Sequence, residues 1–150
     1  MSEQDFIDNI TRNDGLLEII FKFDPRNMEA TSSADISRFT IGLAQYVIYL
    51  NSYINKKRVS MLQKRRLLDL KVSESDLKTK TKIEKRTKVI ESSPELQLIS
   101  DAMEGLSDEL TMLEGTVSYF IELINAFKRE LTRREKELEW SRYERRGNYS

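Results

Sequence analysis

The sequence predicts an all-α protein: a long antiparallel helical hairpin or coiled coil with a short N-terminal element, built to form oligomers. Three observations carry this. The 150-residue chain has only 5 Gly and 2 Pro, so strong helix breakers are scarce. Its residues are 39% hydrophobic and 33% charged, a balance that suits extended helices better than a large-cored globule. Above all, Leu96, Ile99, Met103, Leu106, Leu110, Leu113, Val117, Phe120, Ile124, Phe127 and Leu131 alternate at spacings of three and four. Such a sustained heptad stripe is the signature of one helix packed along another.

The length predicts one elongated domain, read here in four parts. Residues 1–34 form an N-terminal element and loop. Phe6, Ile7 and Ile10 recur at helical spacing, while the apolar run "LLEIIFKF" from Leu16 to Phe23 fits a short strand or a helical turn equally well. Pro25 disfavours helix at Asp24, and "TSSAD" offers several helix caps. Residues 35–91 form a first long, basic, kinked arm. Leu43, Val47, Leu50, Ile54, Met61 and Leu68 share one seam, with Lys57 and Lys64 at intervening seam positions. "VSESD" reads as a kink or short loop, with Ser73 or Ser75 capping a weakly amphipathic helix from Leu77 to Ile90. That helix has few apolar residues and is expected to be mobile. Residues 92–147 form the second long helix. Ser92 or Ser93 caps it, Pro94 suits its first turn, Glu95 favours the positive dipole end, and Gly147 stops it. Trp140 and Tyr143, three residues apart, are expected to anchor its charged end. Residues 148–150 are a tail. Gly105 and Gly115 lie off the seam and each costs about 1 kcal/mol of helix propensity, so packing is expected to compensate.

Composition bears on chemistry. Cysteine is absent, so disulfides and zinc–thiolate sites are excluded, in keeping with a reducing compartment. Histidine is absent too, which removes the commonest general base and metal ligand. No Gly-rich phosphate loop appears. Asp5 and Asp8, one helical turn apart, could in principle hold a divalent cation, but acidic pairs at this spacing are ordinary solvated faces. The reading is of a non-enzymatic protein with no cofactor, no metal and no catalytic residues. No secretory signal or apolar run of transmembrane length is seen, so a cytoplasmic location is expected.

The formal net charge of zero hides an asymmetry. Residues 56–88 carry 13 Lys or Arg against 4 acids, a net of +9, leaving −9 elsewhere. The cations are Lys56, Lys57, Arg58, Lys64, Arg65, Arg66, Lys71, Lys78, Lys80, Lys82, Lys85, Arg86 and Lys88. A surface lined this way can track a phosphate backbone, its affinity supplied by counterion release. Tyr46, Tyr49 and Tyr53 precede it at helical spacing, either as stacking faces for unpaired bases or as core residues. The competing reading is internal neutralisation by Asp101, Glu104, Asp108, Glu109 and Glu114 on the second helix. Membrane-surface binding is disfavoured, because the basic segment lacks a Trp/Phe/Leu face to insert.

The layout resembles the UvsY-like family of tailed-phage recombination mediators. The resemblance rests on Asp24-Pro25-Arg26-Asn27, on "YVIYLNSYINKKRVSMLQKRRLLDL", and on "RREKELEWSRYERRG", and covers roughly residues 16–147. The family's single-strand-binding motif, Lys-x-Arg-Leu-x-aromatic, is similar to "KRRLLDL": Lys64, Arg66 and Leu67 match, with one residue inserted and Leu70 in the aromatic place. The resemblance implies a mediator that binds single-stranded DNA, contacts a RecA-type recombinase and a single-strand-binding protein, and helps the first replace the second. It also implies a ring-like homo-oligomer and, for a phage-encoded protein, the bacterial host cytoplasm. The apolar stripe broadens at Tyr119–Ile124, where Ile121 and Leu123 add a second face. The oligomer interface is therefore expected at Val117, Phe120, Ile121, Ile124 and Phe127. The alternative is a coiled-coil structural or scaffolding protein whose charge serves only packing.

Overall fold

The computed structural model describes Ile20 and residues 22–147. Among these residues the regular structure is entirely helical. A 3₁₀ turn at Pro25–Ala30 leads into α1 (Ser33–Glu74), followed by the short α2 (Lys82–Glu91) and the long α3 (Pro94–Gly147). The expected N-terminal helix around Phe6–Ile10, Asp5, Asp8 and the tail 148–150 lie outside the described residues. So does most of the apolar run at 16–23, of which Ile20 is buried.

Each boundary has a local cause. The Asp24 carboxylate accepts from the Arg26 backbone N–H at 3.0 Å, and Pro25 follows at the first position of the turn. The Arg26 guanidinium, held by the same carboxylate, keeps Asp24 below the usual carboxylate range. Ser32 Oγ accepts from Asp35 N (3.1 Å) and caps α1. Ser93 Oγ accepts from Leu96 N (3.4 Å), and Pro94 opens α3 where its missing N–H costs nothing.

The basic segment departs from expectation. Helix begins at Lys82 and not at Leu77, and Thr81 is its cap, not Ser73 or Ser75. Thr81 Oγ1 accepts from Glu84 N (3.1 Å), while the Glu84 carboxylate accepts from Lys80 N (3.3 Å). This reciprocal arrangement, close to a capping box, places the start three residues before Glu84. Ser73 and Ser75 instead finish α1: Ser73 Oγ donates to Leu70 O, and Ser75 N to Val72 O.

Where the sequence predicts one domain, the chain groups into two compact units. The first is Met1–Tyr49 with Val117–Ser150; the second is Leu50–Thr116. The first has an aromatic core. The Phe23 ring meets Phe127 edge-on at 5.3 Å and Phe39 at 6.0 Å, and Tyr46 meets Phe120 at 5.7 Å. Within this unit, rising numbers on α1 meet falling numbers on α3, so the two segments run antiparallel. In the second unit Leu68, Val89 and Leu96 form the buried cluster, flanked by half-buried Val72, Ile90, Ile99 and Met103. Val89 thus docks α2 against both long helices.

The two seams face inward. Leu43, Val47, Leu50, Ile54 and Leu68 on α1, and Leu96, Leu110, Val117, Phe120, Ile124 and Phe127 on α3, are buried. Leu123 is buried as well, so the expected second apolar face narrows to half-exposed Tyr119 and Ile121. A side chain added at Gly105 or Gly115 would meet nothing within 4 Å. No close approach uses these glycines, which lie off the seam in an unbroken helix.

Candidate nucleic-acid interface

The 13 cations of residues 56–88 all fall in the second unit, which also holds 11 acids. The net of +9 along residues 56–88 falls to +2 over the whole unit, through Glu91 of α2 and six acids of α3. The effect is local. Arg58 pairs with Glu114, and Lys57 pairs with Glu109 at 3.5 Å. Asp101, Glu104 and Asp108, the other three acids, form no ion pair among the described residues.

Lys57 is held in a specific setting. Its ammonium lies over the Tyr53 ring at 5.1 Å, and the Tyr53 hydroxyl donates to Glu109 Oε1 at 2.9 Å. The contact with Tyr53, then the Glu109 charge, raises the Lys57 pKa despite partial desolvation. Tyr46 stacks on Tyr49 at 6.2 Å, and burial, followed by the neighbouring Tyr49, pushes its hydroxyl pKa up. The tyrosines are thus half-buried and engaged within the chain, as the reading of them as core residues expects and the reading of them as open stacking faces does not.

Further along, Arg86 pairs with Asp69, tying α2 to α1. Lys88 pairs with Glu84 at 2.8 Å, lowering the Glu84 pKa, and Lys71 pairs weakly with Glu74 at 3.8 Å. Seven of the 13 cations have no ion-pair partner among the described residues: Lys64, Arg65, Arg66, Lys78, Lys80, Lys82 and Lys85. Lys56 is exposed and engaged in an interaction of its own.

These seven do not form one stripe. Successive residues of an α-helix rotate by about 100°, so Lys64, Arg65 and Arg66 point in three directions. Lys64 is half-buried beside the seam, while Arg65 and Arg66 are exposed. Lys78 and Lys80 lie on the non-helical segment before α2, and Lys82 and Lys85 lie on α2 itself. The result is a basic surface assembled from α1, a connector and a short helix, not a groove along one helix.

Most of the expected oligomer interface is covered within the chain. Val117, Phe120, Ile124 and Phe127 are covered by their own chain, and Ile121 alone of the five is exposed, at 44%. Phe120 and Phe127 face Tyr46 and Phe39 of α1, which occupy the side the sequence leaves open for another subunit.

One functional-looking residue was missed by sequence reasoning. The Arg134 guanidinium donates to Met28 O and to Ser33 Oγ, both at 3.0 Å, and pairs with Glu130 at 2.7 Å. Glu130 also accepts from Arg133, and the two guanidiniums lower its pKa from 4.5 to about 2. The only signal in the sequence is that Arg134 continues the heptad after Leu131. The expected anchoring by Trp140 and Tyr143 is not seen; they are 71% and 72% exposed. Among the described residues no cluster of acids could hold a metal ion, and no helix is long and apolar enough to cross a membrane.

No protein-family model matches the chain, and no curated protein or solved structure matches it.

Proposed function

We propose that this protein is a non-enzymatic, single-stranded-DNA-binding recombination mediator, which helps load a RecA-type recombinase in place of a single-strand-binding protein. The observation that carries the DNA-binding part is the set of seven cations at 64–66 and 78–85 that have no ion-pair partner among the described residues. Their neighbours at 57, 58, 86 and 88 are tied to carboxylates, so the fold spares these seven from structural duty. The recombinase and single-strand-binding partners, the phage origin and the host cytoplasm follow from the resemblance to the UvsY-like family. An antiparallel hairpin of α1 against α3 that associates into a homo-oligomer completes the reading.

The Lys57–Glu109 and Arg58–Glu114 pairs favour a second reading, a scaffolding protein whose charge serves packing. Fluorescence anisotropy with a labelled single-stranded oligonucleotide at two salt concentrations separates the two. DNA binding predicts affinity that falls steeply with salt. Replacing both Lys64 and Arg66 with Ala should weaken binding to all sequences alike and flatten the salt dependence by about one unit per lost contact. Stability should change by no more than about 0.5 kcal/mol for exposed Arg66, and somewhat more for half-buried Lys64, whose stem packs beside the seam. Wild-type protein that binds no oligonucleotide at low salt sinks this function and leaves the scaffold. Recombinase loading itself is tested by strand-exchange assays with a cognate recombinase and single-strand-binding protein.

A further inference from the structure

The C-terminal part of α3 carries a second stripe that the function above does not use. Arg129, Arg133, Lys136, Trp140 and Tyr143 follow one another at spacings of four, three, four and three. At about 100° per residue they share a sector of roughly 80°, opposite the Phe120–Phe127–Leu131 seam. All five are exposed. The stripe itself contains no acid. Arg133 is shared between Glu130 and Glu137, but Arg129 and Lys136 have no ion-pair partner among the described residues. An open hollow beside the stripe is lined by Lys128, Arg129, Thr132, Arg133 and Lys136, and another by Glu139, Arg142, Tyr143 and Arg146. Residues 128–146 hold eight cations and five acids, and Glu130 is occupied by two of the cations.

We infer that Trp140 and Tyr143, with Arg129, Arg133 and Lys136, form a second contact for single-stranded nucleic acid, in which unpaired bases stack on the two rings. Exposed aromatic faces next to cations suit a single strand, since every base offers a π-face and every linkage a negative charge. A duplex hides its base faces. A second copy of this chain meeting the same stripe would bring like charges together, which is repulsive. The inference shares its ligand with the proposed function but rests on different residues in the other unit.

The chain's single Trp is Trp140, so its emission reports on this stripe alone. The full-length protein is titrated with a thymidine oligonucleotide, following Trp emission and the anisotropy of labelled DNA in parallel. Expected is quenching that tracks the anisotropy isotherm. Replacing both Trp140 and Tyr143 with Ala should weaken binding at least about thirty-fold, with unchanged circular dichroism. Trp140→Phe, which keeps a ring, should bind close to wild type. DNA bound by anisotropy with constant Trp emission overturns the stripe and leaves the basic segment standing. So does a double-Ala variant that binds like wild type while Lys64→Ala/Arg66→Ala does not. Loss of binding in the Trp140/Tyr143 variant alone upholds the stripe and removes the basic segment. If the double-Ala variant loses mass by light scattering yet keeps its DNA affinity, the stripe is a contact between copies and the inference fails. No binding by wild type overturns both sites.

Discussion

The two units of this protein are stabilised in different ways. Among the described residues the first buries ten of the sixteen core residues, including Phe39, Phe120 and Phe127, and stacks Phe23 and Tyr46 against them. The second buries six, none aromatic, and relies on Tyr53–Glu109, Lys57–Glu109, Arg58–Glu114 and Arg86–Asp69 across its helices. These polar links have exposed or half-exposed partners, and such pairs contribute little each. The charge gathered at 56–88 is thus accommodated where the apolar core is thinnest. Seam positions given to Lys57 and Lys64 cannot also be given to Leu, and an uncompensated cation needs water nearby.

Mutations can break this contrast. The largest effect is expected for Phe127→Ala, which removes a fully buried ring contacting both Phe23 and Phe39. It should cost about 3–5 kcal/mol, read by denaturant unfolding, with amide-exchange protection falling in 33–49 and 117–134. Leu68→Ala empties the centre of the smaller core, but Val72, Ile99 and Met103 around it are only half-buried and can close in. A loss of about 2 kcal/mol, at the low end for buried Leu, is expected, with exchange rising first in α2. Equal costs for the two variants would remove the distinction between the units.

Next come the glycines of the second unit. Gly105→Ala and Gly115→Ala should each stabilise by about 1 kcal/mol, because neither glycine has positive φ or a neighbour in the way. A stability loss at either position in urea melts would mean that something approaches that face in the assembled protein, and would mark a contact surface.

The first unit has its own pH signature. The folded Glu130 pKa, about 2, lies below its unmodified 4.5. A depressed folded pKa contributes stability that is complete above the unfolded value and is lost as pH falls from about 4.5 through 2. Thermal melts from pH 6 to pH 2 should therefore steepen in that window, and Glu130→Gln should flatten the slope there. Because the carboxylate is near the surface, the change should be small and should shrink in high salt. An identical profile for Glu130→Gln would show that Arg134 holds the 3₁₀ turn without help from the pair.

Much of this molecule is determined by the sequence alone. Alternating three and four spacings can be satisfied only by helix, so the α3 stripe from Leu96 to Leu131 and the α1 stripe from Leu43 to Leu68 predict both long helices and their inward faces. Pro94 behind Ser93 sets the start of α3, because both residues act through backbone groups a few positions away. Tertiary structure decided what depends on residues far apart in the chain. Whether Phe120 and Phe127 meet another subunit or their own α1 depends on Tyr46 and Phe39, some eighty residues earlier, and periodicity does not name a partner. Which cations stay uncompensated depends on where Glu109 and Glu114 land, and a charge count along the sequence cannot register that. The role of Arg134 depends on Met28 O, a backbone acceptor that no composition reveals.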